Sequence, residues 1–189
     1  MSALRDDAVA TLQGWRSPDA RQERLRREYL EHLRSHADGM SRQDAPDHVT
    51  AGALVLSDDR RSVLLTLHAK ARRWFHFGGH CEADDTTLAG AALREATEES
   101  GVRDLRLDPE PLHLDAHVVG FCGPHERVRH LDVRFLALAP THAEHAVSAE
   151  SIDVRWWRVD ELPTEDPDMR TMVALALARV RRDDQASAV

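Results

Sequence analysis

Residues 78–102 read Gly-Gly-His-Cys-Glu-Ala-Asp-Asp-Thr-Thr-Leu-Ala-Gly-Ala-Ala-Leu-Arg-Glu-Ala-Thr-Glu-Glu-Ser-Gly-Val, and no other stretch restricts the fold as tightly. The second half predicts a helix over 86–100. Gly101 stops it, because glycine takes the left-handed backbone of a helix end without strain. Leu88, Ala92 and Ala96 make an apolar stripe, and Ala89 and Ala91 are small enough to let the helix lie close to a sheet. Glu95, Glu98 and Glu99 fall at i, i+3 and i+4, so their carboxylates form one ridge beside that stripe. Like charges at this spacing repel one another. A divalent metal is the economical way to neutralise them, and an all-oxygen ligand set selects a hard ion, Mg2+ or Mn2+. The plain alternative is a solvated acidic face. The Gly-Gly pair ahead of the ridge, Arg94 beside it and Gly101 behind it favour the metal.

These residues resemble the signature of the Nudix hydrolase family. Its pattern is Gly, five residues, Glu, seven residues, Arg-Glu, an apolar residue, any residue, Glu-Glu, any residue, Gly and an apolar residue. Gly79 fits the first position, and Arg94 to Val102 fit the second half. Two departures stand out. Asp85 takes the place of the middle Glu, and one extra residue separates it from Arg94. A strict count back from Arg94 lands on Thr86 and His80. The resemblance implies that Glu95 and Glu99 bind metal directly, that Glu98 binds metal or positions water, and that the Gly78 carbonyl is a further ligand. It gives Arg94 a structural role, bidentate pairing with carboxylates. It also implies the reaction: metals that bridge two phosphates neutralise their charge, stabilise the leaving phosphate and lower the pKa of an attacking water. The substrate class is then a nucleoside diphosphate linked to another moiety. Family members often use a further carboxylate outside the helix. Glu150, in Ser148-Ala149-Glu150-Ser151, occupies that loop, so Glu98 and Glu150 are the candidate catalytic groups. A loop acid near a turn is the bland reading of Glu150.

The rest of the chain reads as an α/β protein. Residues 2–37 carry helical spacing (Leu4, Ala8, Leu12, Trp15, then Leu25, Tyr29, Leu33), interrupted by Ser17-Pro18-Asp19. This helical appendage packs on the core or serves a homodimer contact. Residues 38–47 have linker composition. Val49–Leu56 and Ser62–Leu67 are β-runs joined by a turn, and Trp74–Phe77 is a short aromatic strand. Residues 105–119 alternate in part, Leu131–Leu138 and Val154–Val159 are strands, and Asp168–Arg181 is an amphipathic helix. This order predicts an α/β/α sandwich with a mixed β-sheet of the Nudix type, preceded by the N-terminal helices. The division expected is 1–45 for the helical segment and 46–189 for the Nudix domain.

A second constellation is histidine, of which there are 12 against one Tyr. His48 starts the first strand, His80 follows the Gly-Gly turn, and His130 and Asp132 share a strand face. His76 and His117 point the same way. The arrangement resembles isopentenyl-diphosphate isomerase, a distant member of the fold, although Gly78 stands where that enzyme has its catalytic Cys. His48, His80, His130 and Asp132 are therefore a second candidate site, for a metal or a phosphate, against the plain reading of hydrogen-bonded pocket residues. Trp74 is the candidate for stacking a substrate base, with Phe75 and Phe77 assigned to the core. Arg72, Arg73, Arg127 and Arg129 are loop cations within reach of phosphates or simply solvated.

Composition removes other classes. A net charge of −8 disfavours a nucleic-acid partner. No apolar run approaches the ~18–20 residues of a bilayer span, so no membrane is expected. The first residues lack the apolar core of a signal peptide, and Cys81 and Cys122 make no disulfide framework, so the cytoplasm is the default. Two further functions stay open on the sequence: an isoprenoid-diphosphate isomerase-like enzyme acting through the His/Asp site, and a non-catalytic nucleotide-binding module.

Overall fold

The computed structural model describes residues 2–43, 47–122 and 125–187; the expected boundary at 45/46 lies outside them. In chain order the elements are α1 (Ser2–Gly14), α2 (Ala20–Ser35), β1 (His48–Ser57), β2 (Ser62–His68), β3 (Trp74–Phe75), β4 (Phe77–His80), α3 (Leu88–Ser100), β5 (Arg106–Cys122), β6 (His125–Ala139), β7 (Ser151–Arg158) and α4 (Pro167–Ser187). Seven strands form one mixed sheet. β6 runs parallel to β1 along its whole length, and the other pairings are antiparallel.

β1 is the centre, and every one of its residues is buried. One edge is filled by β6. The other is shared, with β4 along residues 50–53 and β2 at 55–56. Alternation divides its side chains. Val49 and Ala51 face a cluster with Leu4, Leu12 and Leu33 of the N-terminal helices and Leu88 of α3. Leu54 and Leu56 face Met169, Met172, Val173 and Ala176 of α4 on the opposite side. The result is the helix–sheet–helix layering that the sequence predicts.

α1 and α2 place their apolar faces on this core, with Leu4, Ala8, Leu12, Tyr29 and Leu33 fully buried. Ser17-Pro18-Asp19 separates the helices, and the Asp19 side chain caps α2 by accepting from the Gln22 N–H. Polar contacts fix the docking. The Gln22 amide accepts from Leu114 N–H at 2.7 Å and donates to Leu114 C=O at 2.9 Å, which closes the outer edge of β5. The Tyr29 hydroxyl donates to the Asp115 carbonyl. Asp7 accepts from the Leu88 N–H, adding to the Thr87 cap of α3.

The β5–β6 hairpin is longer than expected, because β5 continues to Cys122 and β6 begins at His125. Its register shifts between Asp108 and His113. Pro109 and Pro111 cause this, since neither can donate to the ladder. Arg179 of α4 takes up the slack, donating to the Pro111 carbonyl at 3.0 Å and to Asp108 at 2.6 Å.

Gln22→Leu leaves both backbone groups of Leu114 buried without these partners. The expected loss is about 1–3 kcal/mol per stranded group, read as a lower urea midpoint. An unchanged midpoint would show that the edge contact contributes nothing.

Candidate functional site

A cavity of about 1240 Å³ opens where α4 stops covering the sheet. Its first wall is the signature. Gly78 (φ +156°) packs directly on Gly52 of β1: a Cβ on Gly78 would stand 2.6 Å from the Gly52 Cα. A Cβ on Gly79 would meet the Glu95 carboxylate at 2.7–2.9 Å. These two glycines let the start of β4 and the acidic side of α3 come together. Glu99 then accepts from the Gly78 N–H at 3.2 Å.

Arg94 organises the remaining acids. It donates to both oxygens of Asp85 (3.2 and 2.9 Å), to Glu95 at 3.0 Å, to Glu98 at 3.3 Å and to the His80 carbonyl at 3.0 Å. The extra residue in the signature loop is thus accommodated: Asp85 still reaches Arg94, and its second oxygen accepts from the Glu82 N–H. Burial opposes ionisation of Asp85, but Arg94 and the Glu82 amide outweigh it and hold the carboxyl below its usual range. Burial raises the pKa of Glu95 against the pull of Arg94. Glu99 is raised further, to about 7, chiefly by burial; Glu95, Glu150 and Glu98 add to the shift and only the Gly78 amide opposes it. Glu150, in the loop before β7, lines the same cavity.

The second wall is a polar ladder on β4, β1, β6 and β5. Residues paired across strands share a face. One row holds His48, His130 and His117. The next holds His80, Thr50, Asp132 and Asp115, and the third holds Gly78, Gly52, Arg134 and His113. Arg134, almost wholly buried, donates to Asp115 at 2.9 Å and Asp132 at 3.1 Å. Asp132 also accepts from the Thr50 hydroxyl, and His117 Nδ1 lies 3.1 Å from Asp115. The Asp115 hydrogen bond raises the His117 pKa. Burial, with the Arg134 charge second, lowers that of His76 to about 3. His80 and His130 are lowered to about 4, again mainly by burial.

The structure sorts the expected residues differently in two places. Asp132 does not join His48, His80 and His130. Two residues along a strand is a rise of about 7 Å, and Arg134 and Thr50 draw its carboxylate into the second row. Cys122 takes the fourth place beside the histidines instead. Asp132 is gathered with Asp115 and His117 instead. Trp74 is no cavity residue either. It packs edge-on to Trp157 at 5.2 Å against the α4 cluster, while Phe75, its neighbour on the opposite face, lines the cavity with the Arg73 guanidinium 5.9 Å above its ring. Arg129 pairs with Glu28.

Cys122, Asp115 and Arg134 went unassigned in the sequence. Their signal is the period-two polar run His113, Asp115, His117 facing His130, Asp132, Arg134. Cys122 was hidden because β5 runs past residue 119.

Comparison with known proteins agrees with this architecture. A NUDIX domain model matches residues 46–176. A NUDIX-family hydrolase from Clostridium perfringens superposes with a TM-score of 0.54 at 23% identity, covering 69% of this chain and 97% of that one. An Ap4A hydrolase from C. elegans, a binary complex, gives 0.55 at 15% identity over 70% and 97%. The NUDIX domain of Shewanella oneidensis NrtR, complexed with ADP ribose, gives 0.51 at 19% over 70% and 87%. No curated protein sequence matches the chain. No helix among the described residues is long and apolar enough to cross a membrane. With the match over most of its length, the glycine pair and the acidic helix in place, the chain belongs to the Nudix hydrolase family.

Proposed function

We propose that the chain hydrolyses a phosphoanhydride in a nucleoside diphosphate linked to another moiety, using Mg2+ or Mn2+ held by Glu95 and Glu99 with Glu98 beside them. One observation carries the reading. Glu99 is a half-buried acid, crowded by three other carboxylates, whose hydrogen-bond partner among the described residues is a single amide. Such a group is short of positive charge, and a hard divalent ion fits it. Arg94 pairs with Glu95 and Glu98, and the ridge oxygens are spread more widely than the ligand atoms of the two clusters on the ladder. This suits Mg2+, which keeps several waters and needs only one or two carboxylates.

When bound, the ion would neutralise the diphosphate oxygens and lower the pKa of the attacking water. The residues supply the rest. Gly78 and Gly79 keep side chains out of the space beside the ridge. Arg94 fixes the direction of Glu95 and Glu98 through a planar fork. Glu98, largely exposed, and Glu150, on the cavity wall, are the proposed acceptors of the proton from water. The cavity is large enough for a nucleotide, and Phe75 with Arg73 offers a ring and a cation at its wall. Ap4A, for which the C. elegans hydrolase is named, and ADP ribose, with which the NrtR domain is complexed, belong to the proposed class. In this reading residues 46–189 carry the chemistry and residues 1–45 brace it. Free Cys81 and Cys122 suit a reducing cytoplasm.

Glu99→Gln should lower kcat roughly 100-fold or more, at least about 2.7 kcal/mol in the barrier, with the fold intact by circular dichroism. The assay is chromatographic detection of the two phosphorylated products, a nucleotide and its partner phosphate or pyrophosphate, from nucleoside triphosphates, nucleotide sugars, ADP-ribose, dinucleoside polyphosphates and coenzyme A with Mg2+ or Mn2+. Full turnover by folded Glu99→Gln would remove the proposal.

The raised pKa of Glu99 has a definite sign. Its charged form is disfavoured in the folded state. The metal-free protein should therefore lose stability as pH climbs from the ordinary carboxylate range through about 7, and a bound cation should return it. Calorimetric titration with Mg2+ should show proton release below pH 7 that disappears in Glu99→Gln. Proton release independent of that substitution would assign the shift to another group.

A further inference from the structure

We propose that His48, His80, His130 and Cys122 form a closed structural site for a zinc-class divalent ion, separate from the hard-ion site on the acidic ridge. One ligand atom from each residue lies within 4.8 Å of the other three. The three imidazole rings stand 5.0–5.2 Å apart, centroid to centroid. Cys122 Sγ is 3.0 Å from His80 Nε2 and 3.7 Å from His48 Nε2. A tetrahedral Zn2+ with ordinary Zn–N and Zn–S lengths places its donors about 3.3–3.6 Å apart. Small ring rotations thus bring the four donors onto one ion.

Hydrogen bonding alone leaves part of the cluster unexplained. His130 Nε2 is buried and has no partner among the described residues. Three imidazoles and a thiol also supply few acceptors that point away from one another. As a ligand set they are coherent: nitrogen and sulfur donors select zinc and its relatives over Mg2+. The all-oxygen ridge does the reverse, so donor chemistry alone directs two different ions to two places in one molecule.

The position says what the ion does. His48 is the first residue of β1, His80 the last of β4 and Cys122 the last of β5, while His130 stands in register with His48 on β6. One ion would tie four strands at the same end of the sheet. Four protein ligands complete a tetrahedron and leave no position for water or substrate, which is the mark of a structural site. The carboxylates of Asp132 and Asp115 sit one row away, with the His117 ring 5.5 Å from that of His130. The negative charge of Asp132 acts on His80 and His130, as it would on a cation held there, and Arg42 acts on His80 with the opposite sign. The inference does not depend on the hydrolase reading.

The test uses the full chain, stripped with a chelator and titrated with Co2+ alone. One equivalent should bind and give a thiolate-to-cobalt charge-transfer band with the strong visible bands of a four-coordinate ion. Zn2+ should displace it and raise Tm. Cys122→Ser should abolish the charge-transfer band and weaken binding at least 100-fold, whereas Cys81→Ser should keep both. Glu99→Gln should also keep the band, which separates this site from any failure of the hydrolase reading. Should Cys122→Ser not fold, zinc X-ray absorption on the unaltered chain decides: a shell of three nitrogens and one sulfur is expected. A shell without sulfur, loss of Zn2+ on desalting, or a band that follows Cys81 rather than Cys122 would overturn the proposal.

Discussion

The contact of Gly78 on Gly52 is the constraint from which the site follows. β1 can accept β4 on its edge at residues 50–53 only if backbone meets backbone there, since a methyl group on either glycine would lie 2.6 Å from the other segment. That approach delivers the Gly78 amide to Glu99 and the bare Cα of Gly79 to Glu95. It also sends His80 across to the far side of β1, toward His48 and His130. A single close approach thus turns one residue pair toward the acidic ridge and the next residue toward the imidazoles.

Charge completes the arrangement. Arg94 is a half-buried fork serving Asp85, Glu95 and Glu98, and the buried Arg134 does the same for Asp115 and Asp132 on the ladder. Each guanidinium offsets one negative charge of its own cluster. Among the described residues Glu99 bonds to the Gly78 amide and to neither guanidinium; burial, with Glu95, Glu150 and Glu98 adding to it, raises its pKa, while Arg94 and Arg134 help hold those of Asp85 and Asp132 down. The deficit of positive charge is local to the acidic ridge.

The helix over α3 was legible because stripe, ridge and Gly101 are all local. The layered α/β order was legible too, since β1, β2 and α4 carry strong periodic patterns. What the sequence hid is long-range register. Nothing near His130 says that Cys122 will curl back to it or that Arg134 will claim Asp132; both depend on the β5–β6 pairing and on the proline-forced shift near residue 110. Trp74 misled for a similar reason. In a two-residue strand, which ring faces the cavity is decided by the partner strand, and the pairings Thr66↔Phe75 and Leu67↔Trp74 send Phe75 inward.

The N-terminal helices reach both walls of the cavity. Asp7 of α1 caps the start of α3, and so bears on the helix that carries the ridge. Tyr29 of α2 holds the carbonyls of Asp115 and Asp132, and Gln22 holds Leu114 in the ladder. Tyr29 is fully buried, and burial raises its pKa well above the usual value, so it stays a hydroxyl donor at any ordinary pH. These contacts join the ridge helix and the polar ladder through one helical hairpin, all of it outside the segment matched by the family model. The spacing between the two walls is therefore set partly by residues that the signature does not contain.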